Sequence, residues 1–173
     1  MPSDEDSTFF IHDACLLIDL CAGGLLPAWF DSGRRFATTT LVVAEVKMSA
    51  QKKALASFIR AGMLVAEDPE FEKLLLADGW AKTRRVSLAD ASVALLARER
   101  GGILLSGDDR LRKRAKEDGV EVRGLFWILD TLVGEARISE NAAAGALDAI
   151  LAAGARLPKN ECETRLKKWR TQK

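Results

Sequence analysis

Residues 86–111, VSLADASVALLARERGGILLSGDDRL, decide the fold. LADASVALLARER carries apolar residues at helical spacing, with Asp90 in its first turn. Gly101-Gly102 ends that helix, and Ile103-Leu104-Leu105 is short and apolar enough for a buried strand. Ser106-Gly107-Asp108-Asp109 follows, and a basic helix begins at once. In a helix–strand–helix unit, the helix start and the strand end share one edge of the sheet. Asp90 and Asp108 can therefore face each other across eighteen positions. Ligands of open α/β sheets bind at the carboxyl ends of parallel strands. Acids gathered there repel unless a proton or cation intervenes, which points to a divalent metal site.

Outward from this unit, the chain alternates strands and helices. Thr8 to His12 is β-prone and ends at Asp13. ACLLIDLCAGG is helical, and LLPAWF is a short helix or turn. RRFATT is a second strand, and Thr40 is placed to cap a single helix over 41–62 carrying Glu45. MLVAE is a third strand. Asp68-Pro69 opens a helix to Trp80, and AKTRRVS is a linker. DDRLRKRAKEDG is helical and leads to a last strand, VEV. This order predicts an α/β protein, a three-layer α/β/α sandwich on a central parallel sheet. Residues 1–124 form that domain, and 125–173 read as a helical C-terminal extension packed on it. In its last helix, Cys162, Leu166 and Trp169 make one apolar stripe. Glu161–Arg165 and Glu163–Lys167 are candidate ion pairs on the same helix.

The composition is that of a globular domain: 173 residues, 48% hydrophobic, net charge +1. That charge disfavours nonspecific wrapping of nucleic acid but allows a local basic rim. Three cysteines without CxxC spacing indicate reduced thiols and a cytoplasmic location. The acidic start MPSDEDST is unlike a signal peptide, and no apolar run reaches a membrane span. One histidine, His12, cannot build a usual zinc site with the cysteines and disfavours histidine-based ribonuclease chemistry. Adjoining Asp13 in a strand, it points to the opposite face and is a packed or surface residue.

Asp13, Glu45, Asp90 and Asp108 occupy strand ends or helix starts. Singly, Asp13, Asp90 and Asp108 are ordinary helix caps or first-turn acids. Together they suit Mg²⁺ or Mn²⁺, which prefer hard oxygen ligands. Glu45 singly reads as a solvated helix residue, but it lies within LVVAEV, where a buried lone carboxylate would be costly. Asp109 reads as a cap, and Asp19 as solvent-exposed. Lys82, Arg84, Arg85, Arg110 and Arg112 are candidates to grip nucleic-acid phosphates at the rim. The four tryptophans read as packing residues.

FIHDACLLIDL, TTTLVVAEV, SLADASVALLARERGGILLSGDDRLRKRA and GVEVRG together resemble the PIN-domain ribonucleases, over about residues 8–124. The Ser-Gly-Asp strand end is the most specific of these pieces. The resemblance implies metal-binding acids at Asp13, Glu45, Asp90 and Asp108. It also implies a supporting hydroxyl at Ser106, where threonine is more usual. It implies Mg²⁺- or Mn²⁺-dependent RNA hydrolysis. Many relatives are VapC-type toxins, homodimeric and held by an antitoxin, and the helical tail resembles a related PIN branch. The rival reading is a PIN-like protein-interaction or RNA-binding module without catalysis. A receiver domain would need an acid pair after strand one and a lysine after the last strand. His12-Asp13 and Val122-Arg123 stand there instead, and no GxGxxG supports a dinucleotide fold.

Overall fold

A computed structural model describes residues 8–171. Five short strands, β1 Phe9–His12, β2 Arg35–Thr39, β3 Val65–Glu67, β4 Ile103–Leu105 and β5 Glu121–Arg123, form one sheet. All neighbours are parallel, in the order β3-β2-β1-β4-β5. The central strand β1 pairs Phe10 with both Phe36 and Ile103, and Ile11 with both Ala37 and Leu104. A strand covered on both faces has no water-facing side, which explains the unbroken apolar run Phe9-Phe10-Ile11.

The helices are α1 Ala14–Ala22, α2 Leu26–Phe30, α3 Thr40–Glu45, α4 Ser49–Arg60, α5 Phe71–Arg84, α6 Leu88–Arg100 and α7 Asp109–Glu117. The tail adds α8 Leu125–Gly134, α9 Glu140–Ala152 and α10 Lys159–Thr171. Helix α6 lies against β1, β2 and β4, with α5 stacked outside it. Helix α1 packs on α3, α4 and α9, and α2 on α8. The result is the expected α/β/α sandwich with C-terminal helices. From β1 the chain first builds one side of the sheet, β2 and β3, then crosses to the other, β4 and β5. The strand order therefore reverses between β1 and β4, where open sheets leave a crevice at their carboxyl ends.

Gly101 and Gly102 are required where α6 meets β4. Gly101 has φ +56, a left-handed helix stop. At Gly102 a Cβ would stand 2.6 Å from the Phe9 carbonyl. The close approach lets β4 begin directly beside β1.

His12 is fully buried in an aromatic cluster with Trp29, Phe30 and Phe36. The Trp29 indole N–H donates to His12 Nε2 at 2.9 Å. Burial holds the imidazole far below its ordinary pKa, at about 3, so it stays neutral. Backbone carbonyls of Ala37 and Phe10 offset this only in part. The histidine is a packing residue.

Several local expectations are corrected. The helix over 41–62 is two helices, because Val46 turns extended and is buried in the core. Thr39, not Thr40, caps α3, through Val42 N–H at 3.4 Å. The Thr40 hydroxyl instead donates to Asp68 at 2.8 Å, so Asp68 does not cap α5, which starts at Phe71. Helix α5 also runs on to Arg84, absorbing most of the expected linker.

The tail shares one apolar core with the sheet. Trp127 stacks on Phe10 of β1, with ring centroids 5.8 Å apart. Leu125, Ile128, Leu147, Ile150, Cys162 and Trp169 are buried in the same core. Glu161 pairs with Arg165 at 2.5 Å as expected, and Arg165 also reaches Asp130 of α8 at 2.6 Å. Glu163 pairs with Lys159, at 3.7 Å, rather than with Lys167. Trp169 is 2% exposed. Trp169→Ala is expected to cost about 3–5 kcal/mol of stability, the usual loss for a buried aromatic. An unchanged denaturation midpoint would show that α10 does not stabilise the core.

Candidate functional site

Asp13 is the first residue beyond β1, where its N–H continues the ladder to the Leu105 carbonyl at 3.0 Å. It caps α1, with Oδ1 accepting from Leu16 N–H at 2.8 Å. Ser106, the first residue beyond β4, donates its hydroxyl to Asp13 Oδ2. The same hydroxyl accepts the Asp108 N–H at 3.0 Å. Ser106 thus ties the ends of β1 and β4 together across the crevice. Asp108 caps α7, its Oδ1 accepting from Leu111 N–H at 2.7 Å. Asp90 closes a capping box with Ser87 at the start of α6.

Each aspartate therefore does the ordinary work of a helix cap. Capping does not account for their mutual repulsion. Asp13 is 1% exposed, and burial pushes its pKa up to about 7. The hydrogen bonds from Ser106 and Leu16 lower it, while Asp90 and Asp108 add to the rise. Asp90 is itself raised, first by desolvation and then by Asp108. Glu45 is raised by desolvation and by Asp90, with Ser87 holding it down in part. Of the two readings of Glu45, a solvated helix residue or a carboxylate buried in an apolar run, the structure has the first. Glu45 is exposed at the end of α3, because the helix stops there and Val46 takes the core position.

Two residues were missed by sequence reasoning. Cys15 lies at the mouth of the site, open to solvent on one side. Burial on the other side, then the charges of Asp13, Asp19, Asp108 and Asp90, push its thiol up to about 12. That one thiol feels four carboxylates. Asp19, expected in solvent, is half-buried, and desolvation raises it to about 6. The signal was available: Asp19 is four positions after Cys15, on the same face of α1.

The basic residues separate into two groups. Lys82 pairs with Asp78 at 2.6 Å. Arg84 pairs with Asp118 at 2.5 Å and Glu117 at 3.3 Å. Both serve acids of their own surroundings. Arg85 stops α5 at φ +59, and its carbonyl accepts from Arg110 at 3.0 Å. Arg112 donates to the Ser106 carbonyl at 3.0 Å.

The donors around Asp13 are carboxylate and hydroxyl oxygens, the set that suits Mg²⁺ or Mn²⁺. A carboxylate raised first by burial and further by its acidic neighbours is relieved by a cation, so these residues fit such an ion. Among the described residues, no three acid, histidine or cysteine side chains form a ready-made metal cage. Mg²⁺ seldom needs one, since it usually takes one or two carboxylates and keeps its waters. A cavity of about 960 Å³ lies elsewhere, between α5 and α6, lined in part by Leu75, Leu76, Trp80 and Leu96.

A family model described as PIN domain matches residues 9–171. The chain belongs to the PIN-domain family. PIN domains are a nuclease-type fold, generally acting on RNA with divalent metals. The crystal structure of PAE2754 from Pyrobaculum aerophilum has a similar fold, with a TM-score of 0.54 and 20% identity. The similarity covers 74% of this chain and 97% of that one. No curated protein matches this PIN domain. Among its described residues, no helix is long and apolar enough to cross a membrane.

Burial of Asp13 has a consequence for the metal-free protein. Its pKa rises from 3.8 to about 7, so the folded state keeps a proton that the unfolded state has released. Its contribution is therefore favourable below about pH 4 and lost as pH rises through 7. Chemical denaturation of Asp13→Asn across this range is expected to remove a slope of up to about 1.4 kcal/mol per pH unit. Parallel wild-type and variant curves would show that Asp13 does not titrate in this window.

Proposed function

We propose that this PIN domain is a Mg²⁺- or Mn²⁺-dependent ribonuclease that hydrolyses RNA phosphodiester bonds. The observation that carries this reading is the buried Asp13. It is hydrogen-bonded to Ser106 and repelled by Asp90 and Asp108, at the point where the strand order reverses. Asp13, Asp90 and Asp108 would hold the ion, with Glu45 approaching from α3. When bound, the metal would lower the pKa of a water and offset charge on the phosphodiester.

The chain's own groups supply the positioning. Ser106 orients Asp13 and, by accepting the Asp108 N–H, the turn that carries Asp108. The caps on α1, α6 and α7 fix the aspartates at rigid helix starts. Arg85 and Arg110, exposed and next to each other, are suited to RNA phosphates. Lys82 and Arg84 are less suited, being paired with acids. We take residues 1–124 as the nuclease unit and 125–173 as its packed extension. This division is supported by Gly124 standing between the last strand and α8.

Three free cysteines support a cytoplasmic location. Phe71, Leu75 and Leu76 on α5 are 73%, 57% and 68% exposed. An apolar stripe this open favours the homodimer that the family resemblance implies. A toxin role held by an antitoxin stays within the same proposal, and a gene for a small partner beside this one would support it. The alternative is a non-catalytic PIN-like binding module, in which the acids serve only as caps.

Cleavage of single-stranded RNA by the purified chain is expected to require Mg²⁺ or Mn²⁺ and to stop with chelator. Asp13→Asn and Asp108→Asn are each expected to lower it by about 100-fold or more, about 2.7 kcal/mol or more of activation free energy, with the fold intact by circular dichroism. Full cleavage by either variant would overturn the site and favour the binding module.

A further inference from the structure

Arg112 stands one turn into α7, and its guanidinium leads back to the site rather than outward. Nη1 donates to the Ser106 carbonyl at 3.0 Å. Its backbone N–H donates to the Asp108 carbonyl at 2.9 Å. The side chain is half-buried and, among the described residues, forms no ion pair. Among the described residues, the hydrogen-bond partner of this guanidinium is thus the carbonyl of the residue whose hydroxyl holds Asp13.

Gly124 explains how the guanidinium reaches that carbonyl. Its backbone is extended, φ −128 and ψ −174, a conformation open to any residue. The glycine is not needed for its dihedrals. It is needed for space: a Cβ would stand 2.4 Å from Arg112 Nη1 and 3.6 Å from the Ser106 carbonyl oxygen. Gly124 is the floor of a slot in which the guanidinium sits. Arg123, just before it, accepts the Ser106 N–H at 3.1 Å. Both peptide groups of Ser106 are therefore held, the N–H by β5 and the carbonyl by Arg112.

We propose that Arg112, seated over Gly124, is a positioning residue for the acid site. It locks the Ser106-Gly107-Asp108 turn, and so the Ser106 hydroxyl and the Asp108 carboxylate, in register with Asp13. This rests on the metal-dependent nuclease reading and replaces the expectation that Arg112 grips RNA. Groups that orient metal ligands from behind typically alter metal affinity or turnover by about 10- to 100-fold. A phosphate contact would instead weaken RNA binding and reduce its salt dependence.

Gly124→Ala is the discriminating variant. The clash it creates is with the far end of a flexible side chain, so the guanidinium is displaced while the backbone stays. In the full chain, melting is expected to stay within a few degrees of wild type. The Asp108 amide is expected to exchange faster with deuterium. Mn²⁺ affinity, titrated without RNA, is expected to fall about 10-fold or more, with kcat falling similarly and KM for RNA unchanged. Arg112→Ala should match it. Arg112→Lys keeps a donor for the Ser106 carbonyl and should recover part of the loss. Unchanged Asp108 exchange and Mn²⁺ affinity in Gly124→Ala would overturn the proposal, as would a rise in KM alone. If the wild-type chain itself neither binds Mn²⁺ nor cleaves RNA, the nuclease reading falls first and this proposal with it.

Discussion

The structure depends on burying one carboxylate where two central strands end. Asp13 leaves β1 beside the end of β4, and both of its oxygens are engaged, by Leu16 N–H and by the Ser106 hydroxyl. A buried acid is tolerated only when its hydrogen bonds are met. Meeting them fixes α1 on one side and the β4–α7 turn on the other. The same burial keeps a proton on Asp13 well above the ordinary range of an aspartate. The site is thus restrained by neutral hydrogen bonds and unsettled by its neighbours' charges. A divalent cation would relieve that tension.

The topology sets which acids meet. The order β3-β2-β1-β4-β5 brings the ends of β1 and β4 side by side, although ninety-odd residues separate Asp13 from Ser106. Helix α6, lying across β1, β2 and β4, delivers Asp90 from its first turn to the same edge. Glu45 arrives from α3, just beyond β2. The tail contributes differently. Trp127 stacks on Phe10, and Gly124 leaves room for Arg112 behind the Ser106 turn. The junction between β5 and the tail therefore touches both the core and the back of the acid site.

That site and a second surface are distinct. The acids lie at the sheet edge and are partly open, whereas the large apolar cavity lies between α5 and α6. Phe71, Leu75 and Leu76 beside it face solvent. Chemistry with a charged polymer suits the first surface, and protein contact suits the second. Lys82 and Arg84, paired with acids on their own side, do not extend the acid site toward the cavity.

The sequence by itself determined the parallel α/β order, the strand-end acids, the Gly-Gly stop before β4 and the amphipathic tail. Each is written in local spacing: apolar period, turn residues and cap positions. Tertiary structure decided the rest. It broke the helix at Val46 because the core took that side chain, and so left Glu45 exposed. It drew Thr40 to Asp68, a contact twenty-eight positions apart that no local pattern encodes, and so left the α3 cap to Thr39. It half-buried Asp19 near Cys15, and turned Arg112 toward Ser106 rather than solvent. Burial and long-range hydrogen bonds depend on what the folded chain brings alongside, and residue spacing alone does not carry that information.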